Sequence, residues 1–236
     1  MCGRFSASTP VPKLSEVFGV EELRGEDPGA HYNVAPTMPV LAAATSRAGV
    51  RMLGTFRWGL IPSWAKDLSG GAKMINARAD TVETKPAFRT ALVRRRCIIP
   101  ADGFYEWRRG DPVGGGPKIP FFISHLDGSP LAFAGLWEVW RNAALDADDP
   151  AALVRSCTII TTEANVLLAP VHDRMPVILP SDAWGLWLDP AVQDPAALRP
   201  LLRPSPPEQL ALYAVSPEVN NYRNDGPHLK DPIAEM

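Results

Sequence analysis

The sequence predicts an α+β fold, a single domain with a mainly antiparallel β sheet or barrel and short peripheral helices. Proline (25) and glycine (18) are spread along the 236 residues rather than gathered in one linker, which favours many short strands joined by turns. The predicted strands and helices do not alternate as βαβ units, and this argues against a parallel sheet. We therefore expect one domain over residues 1–236, with a disordered tail from about residue 224.

Five runs rich in β-branched or aromatic residues, each closed by Gly, Pro or Asp, predict strands. They lie at residues 40–44, 98–100, 120–124, 131–136 and 157–162. Five short amphipathic segments predict helices at residues 11–18, 87–93, 163–169, 181–188 and 196–202. The Gly- and Pro-rich segment 111–118 and the acidic segment 143–152 are typical of surface loops.

Composition limits the classes of function. The formal net charge is −2, so any nucleic-acid site has to rest on a local basic patch. The three cysteines, Cys2, Cys97 and Cys157, are an odd number without metal-ligand spacing, which argues against a disulfide framework and a zinc site. No apolar run approaches the ~18 residues of a membrane span. We expect a cytoplasmic protein that needs no metal and no cofactor and has no membrane partner.

Cys2 is the most informative residue of the chain. Removal of Met1 would place a thiol and a primary amine on the same α-carbon. Their unperturbed pKa values, ~8.5 and ~7.7–8.0, leave a usable fraction of each in its reactive form at neutral pH. Such a 1,2-aminothiol condenses with an aldehyde to a Schiff base, and the sulfur then closes a thiazolidine ring. Position alone fits equally well a small buried hydrophobic residue, which is what most free cysteines are.

Five further segments are dense in polar and aromatic residues. They are Tyr32-Asn33-Val34-Ala35-Pro36, residues 57–64 (RWGLIPSW), Ile75-Asn76-Ala77-Arg78, residues 101–107 (ADGFYEW) and His172-Asp173-Arg174-Met175-Pro176. Together with the opening Cys2-Gly3-Arg4-Phe5, these segments resemble the SOS response-associated peptidase (SRAP) family of abasic-site DNA–protein crosslinkers. The resemblance runs from Cys2 to about Leu179. It implies an SRAP-like domain that recognises abasic sites in single-stranded DNA and attaches its N-terminal cysteine to the sugar aldehyde.

Three side chains are candidates for chemistry beside Cys2. Glu106 follows an apolar strand and lies between two aromatic residues, so burial should raise its pKa and suit it to proton transfer. The alternative is a carboxylate that pairs with Arg78 or Arg174. His172 could open the closed abasic sugar by moving a proton near pH ~6.5. Both match catalytic positions of the family. Asn76 offers an uncharged donor and acceptor for positioning the amine or a sugar hydroxyl.

Arginine grips phosphates bidentately, and an aromatic face can stack a base for ~1–3 kcal/mol without sequence preference. The candidate DNA contacts are Arg4, Asn33, Pro36, Arg57, Trp58, Trp64, Arg78, Phe88, Arg89 and Arg174. Each tryptophan could instead pack in the core, and Asn33 could instead hold its own turn. The run at residues 94–96 is interpreted as a solvated face.

Three other functions stay open. An N-terminal-nucleophile amidohydrolase also begins Met-Cys-Gly and uses the freed amine as a base for the thiol. A peptidase acting in trans would need a substrate groove and an oxyanion hole, which the sequence does not reveal, so peptidase activity is expected only on Met1, by the protein itself. A non-covalent single-stranded DNA binder is the third. We expect a monomer, nucleoid-associated when bound to DNA, with weak lyase activity as a by-product of the Schiff base.

Overall fold

Short strands dominate the computed structural model, which describes residues 2–46, 48–108, 116–146 and 148–233. The strands are β1 (Phe5–Ala7), β2 (Glu22–Arg24), β3 (His31–Val34), β4 (Pro39–Thr45), β5 (Arg51–Trp58), β6 (Asn76–Arg78), β7 (Arg96–Ala101), β8 (Gly103–Arg108), β9 (Ile119–His125), β10 (Leu131–Arg141), β11 (Leu153–Glu163), β12 (Arg174–Pro176) and β13 (Leu210–Ala214). The α-helices are α1 (Val11–Phe18), α2 (Arg89–Arg94), α3 (Trp184–Leu188) and α4 (Pro195–Leu198).

The strands form two sheets. The smaller sheet has the order β13-β9-β8-β1-β3, with antiparallel pairing throughout. The larger has the order β12-β11-β10-β7-β4-β5-β2, and β6 adds to β11. β5 also pairs in parallel with β11, where Arg57 lies opposite Ser156, so β11, β10, β7, β4 and β5 close into a five-stranded barrel. The predicted α+β fold, with a mainly antiparallel sheet or barrel and short helices, is confirmed.

Strand alternation divides the apolar residues between two main clusters. One cluster combines inward residues of the barrel with one face of the smaller sheet, and Phe5 of β1 packs edge-on against Trp58 at 4.9 Å and Phe133 at 5.9 Å. The other cluster joins the opposite face of the barrel to the four helices. Burying each large side chain contributes about 2 kcal/mol, so these clusters fix the position of everything built on β1 and β8.

All five predicted strands lie within longer observed strands, and α1 has the predicted bounds. The helix predicted at residues 163–169 is wrong. β11 continues to Glu163, and the side chain of Asn165 accepts hydrogen bonds from the backbone N–H groups of Leu167 and Leu168, which holds a turn instead. Of the predicted loop 111–118, residues 111–115 lie outside the described residues.

Two other predictions differ from the structure. The segment after residue 224 is folded as far as residue 233, because Pro227–Lys230 form a 3-10 turn and Leu229 is fully buried. Arg96 does not belong to a solvated face: it is buried, and its guanidinium donates to the backbone carbonyls of Leu92 and Trp187, among others. Within the described ranges, no helix has the length and apolar content needed to cross a membrane.

Candidate active site

Cys2 lies at the centre of the fold, immediately before β1. Phe5 pairs with Phe104 of β8 and with Val34 of β3, and this pairing draws the start of the chain between the two sheets. Cys2 is fully buried in the main core cluster, and its carbonyl accepts a hydrogen bond from Asn76 Nδ2 at 2.8 Å. Burial alone fits both interpretations of Cys2, so its neighbours decide between them.

The surroundings of Cys2 do not favour a thiolate. Burial raises the pKa of the Cys2 thiol far above its ordinary value, and the nearby charge of Glu106 acts in the same direction. A hydrogen bond from the backbone N–H of Arg4 opposes this rise only in part. The folded surroundings therefore lower the thiolate fraction expected from unperturbed pKa values, so attack by the sulfur benefits from a neighbouring base that takes its proton.

Glu106 is placed by the alternation of β8. Phe104 and Glu106 face the main core, whereas Tyr105 packs on the outer side of the sheet. Glu106 is 3% exposed, and burial raises the pKa of its carboxyl to about 7. At this pKa the carboxyl is half ionised near neutrality, which suits a group that both accepts and releases protons.

His172 lies on the loop between β11 and β12. The buried Asn165 shapes this loop, and its Nδ2 donates to the carbonyl of Ser205 at 2.9 Å. His172 Nδ1 accepts the backbone N–H of Arg174 at 3.0 Å, an arrangement that assigns the proton of the neutral ring to Nε2. Nδ1 is also 3.0 Å from Asp173 Oδ1. In the charged ring Nδ1 carries a proton, which it would donate in a hydrogen bond to this carboxylate oxygen.

An open cleft of about 830 Å³ joins Glu106 to His172. Its walls come from β8, from the loop before β9, from the His172 loop and from the C-terminal segment. They are formed by Arg4, Glu106, Trp107, Arg108, Pro117, Lys118, residues 169–173 and Asn220. Cys2 and Asn76 lie beside Glu106 and behind this surface, so a ligand in the cleft would reach them past the carboxyl group.

Asn76 has an unused acceptor. Its Nδ2 is bound to the Cys2 carbonyl, but its Oδ1 is buried without a hydrogen-bond partner among the described residues. A buried acceptor left unpaired costs about 1–3 kcal/mol, so a site that keeps one gains from a ligand or amine that donates to it. The positioning role predicted for Asn76 is consistent with this geometry.

Arg78 and Arg174 lie side by side at the outer edge of the site. Arg78 is opposite Thr161 across the β6–β11 pairing, and Arg174 donates to the Thr161 carbonyl at 2.6 Å. Burial lowers the pKa of Arg174, and the charge of Arg78 contributes to this. Arg78 binds Asp80 through two hydrogen bonds, of 3.1 and 2.6 Å. Among the described residues, the ion pair of Arg78 is with Asp80, and neither arginine contributes to the pKa shift of Glu106, so the pairing suggested as its alternative role is not observed.

The sequence profile of the SOS response associated peptidase (SRAP) family matches residues 1–222. The chain is 44% identical over 230 residues to the abasic site processing protein YoqW of Bacillus subtilis, covering 97% of this chain and 98% of that protein.

The chain belongs to the SRAP family.

A second relative of this SRAP chain is the abasic site processing protein HMCES of Pongo abelii, 33% identical over 276 residues, which cover 99% of this chain and 76% of that protein. Among solved structures, a crystal structure of a protein from Bacteroides thetaiotaomicron superimposes with a TM-score of 0.84 at 27% identity, over 99% of this chain and 100% of that one.

Two of the DNA contacts predicted for this SRAP chain form hydrogen bonds within the fold. Asn33 is 1% exposed, and its Nδ2 donates to the carbonyls of Val219, Asn221 and Asn224. Arg4 donates to Asn33 Oδ1 at 2.8 Å and also lines the cleft. Arg4 can therefore face a ligand, whereas Asn33 has no accessible surface to offer one.

Three more predicted contacts lie near the β4–β5 end of the barrel. Trp58 is fully buried, and its indole N–H donates to the Ile75 carbonyl, so it has no free face for a base. Arg57 donates to the carbonyl of Thr37 at 3.0 Å. Pro36 is half-buried and begins the turn in which Thr37 adopts a φ of 76°.

The structure does not bring the remaining three predicted DNA contacts, Trp64, Phe88 and Arg89, to the cleft. Trp64 is 62% exposed, but the carbonyl of the next residue binds the indole of Trp140. Trp140 pairs with Val154 of β11, whereas Arg174, near the site, pairs with Glu163 of the same strand. Val154 and Glu163 are nine residues apart, which is about 30 Å along β11, so Trp64 lies far from the site. Phe88 packs against the helix-side cluster, and Arg89 beside it is exposed.

Several cleft residues were missed by the sequence analysis. Arg108 lies two residues beyond Glu106, so the period of a strand places both on one face, and this signal could have found it. Lys118 and Asn220 reach the cleft through distant parts of the chain, and no local pattern marks them. In the described ranges, no group of three or more His, Cys, Asp or Glu residues could hold a metal ion.

Proposed function

We propose that this SRAP chain, once Met1 is removed, captures the ring-opened aldehyde of an abasic site in single-stranded DNA as a thiazolidine on Cys2. The observation that carries the proposal is the placement of Cys2 between Asn76 and a buried carboxyl with a pKa of about 7, beside an open cleft. Relatives that match nearly the whole chain bear the name abasic site processing protein, which agrees with such a substrate.

The residues have separate tasks in the proposed reaction. The sugar is first opened to its aldehyde, and we assign the proton transfer of this step to His172 Nε2–H. The α-amine of Cys2 then adds to C1′, and Glu106 takes a proton from nitrogen and returns one as the carbinolamine loses water. The thiol adds to the same carbon of the iminium and gives its proton to the Glu106 carboxylate. One water is released, and the C1′–N and C1′–S bonds form.

The raised pKa of the Cys2 thiol orders these steps. A protonated sulfur is a poor nucleophile toward the free aldehyde, so the amine attacks first and the sulfur follows. The iminium also acidifies C2′, so strand cleavage by β-elimination competes with ring closure. We propose that weak lyase activity is the outcome when the sulfur fails to close the ring.

The decisive experiment mixes the purified protein with abasic single-stranded DNA and separates the products on a denaturing gel. We expect a covalent band whose mass is the sum of the two components less one water. Cys2→Ala should form no such band, and Cys2→Ser should shift the product toward cleaved strand. An equal yield of crosslink from Cys2→Ala would refute the proposal, and a parallel incubation with glutamine that releases ammonia would favour the amidohydrolase.

Removal of Met1 is part of the proposal, because the amine of Cys2 is otherwise a peptide nitrogen. We propose that the protein performs this cleavage itself, with Glu106 as the base for the attacking water. Intact mass spectrometry of wild type and Glu106→Gln, expressed and purified identically, tests it. Wild type should lack Met1 and the variant should retain it. Complete processing of both would assign the step to another enzyme.

A further inference from the structure

Two cations of the cleft have no assigned role, Arg108 at the end of β8 and Lys118 just before β9. The ion pairs of the described ranges use other basic residues, among them Arg78, Arg95 and Arg199. The guanidinium of Arg108 lies 4.8 Å from the ring centroid of Phe121, the residue that pairs with Glu106. Its charge is thus held at the wall of the cleft, on the strand face that also carries Glu106.

The order of strands puts Arg108 and Arg78 on opposite sides of Cys2. Asn76 of β6 binds the Cys2 carbonyl on one side, and on the other side β1, which follows Cys2, pairs with β8. Across the site the order is therefore β6, the start of the chain, and β8. Asn76 and Glu106 form the inner row of this arrangement.

Each inner residue has an arginine two positions farther out on the same strand face. Arg78 follows Asn76, and Arg108 follows Glu106, both at a spacing of about 6.6 Å. On both strands the arginine is more exposed than the residue two positions before it. The reacting groups thus lie between two cations that belong to different sheets.

The two sides differ in what an anion has to displace. Arg78 is already bound by both oxygens of Asp80, so a phosphate must compete with that carboxylate. Within the described ranges Arg108 and Lys118 have no carboxylate within ion-pair distance, so an incoming phosphate gains their charges without breaking a pair. A single DNA strand with its abasic nucleotide over Glu106 presents one phosphate on each flank.

We propose that Arg108 and Lys118 bind the phosphodiester on one flank of the abasic nucleotide while Arg78 binds that on the other flank, so that the strand crosses the site from β6 to β8. This rests on the proposed function, because it takes abasic single-stranded DNA as the ligand. Arg108 and Lys118 act in binding and hold no proton in the reaction. Their removal weakens capture of the strand.

The experiment measures binding of oligonucleotides that carry a tetrahydrofuran abasic analogue, which has no aldehyde and cannot crosslink. One series extends only to the 5′ side of the analogue and the other only to the 3′ side. We expect Arg108→Ala and Lys118→Ala each to weaken the affinity for one series about fivefold and for the other series less than twofold. Each should also reduce the slope of log affinity against log salt concentration by about one. Arg78→Ala should show the reverse preference.

Arg155→Ala is the matched control, since Arg155 is an exposed arginine at the far end of β11. Arg108→Lys keeps the charge and should retain most of the salt slope, and thermal unfolding checks that each variant folds. Two results would overturn the inference. Either Arg108→Ala and Lys118→Ala bind both series of oligonucleotides as tightly as Arg155→Ala does, or they weaken binding of both series equally. Crosslinking of natural abasic DNA by wild type is measured separately. If no crosslink forms in that experiment, the proposed function is refuted, but the inferred phosphate contacts of Arg108, Lys118 and Arg78 are not.

Discussion

Glu106 links the proposed chemistry to the stability of the fold. Its folded pKa of about 7 is above the ordinary value of 4.5, so the folded state binds more protons between these two pH values. Stability should therefore fall as pH rises from about 4.5 to 7, by about 3 kcal/mol in all, and then level off. Glu106→Gln should lose this slope. Urea unfolding of both proteins at pH 5 and pH 8 measures it.

The same variant separates the structural and chemical roles of Glu106. Glu106→Gln should match or exceed wild type in stability at pH 8, while it forms no crosslink as long as it retains Met1 and, once Met1 is removed, crosslinks about two orders of magnitude more slowly than wild type. A substitution of the exposed Glu208 by Gln is the control for loss of one carboxyl. A wild-type stability that does not change between pH 5 and pH 8 would mean that the carboxyl has an ordinary pKa.

At this scale the sequence indicates residue chemistry well and residue partners poorly. The burial of Glu106 follows from its apolar neighbours and strand period, which are local. Arg4 and Asn33 look like ligand contacts because they are polar and lie in the matched segments. Their actual partners include Val219, 215 positions from Arg4, and Asn224, 191 positions from Asn33, and only the completed fold brings these carbonyls within reach.

Gly59 controls how β5 leads into the segment before Asn76. Its φ is +122°, and a Cβ there would lie 2.5 Å from the Gly71 carbonyl oxygen. Gly59→Ala should cost more than about 2 kcal/mol of unfolding free energy and reduce crosslinking by displacing β6. Gly185 in α3 has open space around it, so Gly185→Ala should be neutral or stabilising by about 0.5 kcal/mol. Chemical denaturation of both variants tests the contrast.

Asn33 fastens the C-terminal segment to β3, together with Asp225, which binds His31 and the backbone N–H of Tyr32. Asn33→Ala removes the donor shared by three carbonyls and the acceptor for Arg4, and we expect a loss of roughly 2–4 kcal/mol. Limited proteolysis should then cut within residues 216–233. Asn142→Ala, which removes one local turn bond, serves as the control. Equal resistance of the two variants would show that the apolar contacts of Leu229 suffice.

Elements with a local signal are predicted best. α1 has its Pro at the start, Gly19 in the left-handed conformation at its end and a clear apolar face, and its bounds are as predicted. The segment after β11 also looks amphipathic, but pairing with β12 extends the strand to Glu163 and overrides helix propensity. The closure of the barrel by β5 and β11 joins residues a hundred positions apart and has no sequence signature.

Asp102 ties the two ends of the chain together across the whole molecule. Burial alone would raise the pKa of Asp102, but hydrogen bonds from the hydroxyls of Ser8, Thr9 and Ser6, with the charge of Lys230, hold it at about 2. This contribution is complete above pH ~3.8 and is lost as pH falls through about 2, an effect of about 2 kcal/mol. Asp102→Asn should flatten acid unfolding, followed by circular dichroism between pH 2 and 5.

The burial of Cys2 also limits the time during which another enzyme can reach it in the growing chain. Cys2 is synthesised well before the strands that enclose it are complete, since β8 follows more than a hundred residues later. At about 5–20 residues per second, the amino end stays open for several seconds and then becomes enclosed. Any separate aminopeptidase must act within that interval, so slower synthesis should yield more processed protein if another enzyme does the trimming, and no more if the chain trims itself after folding.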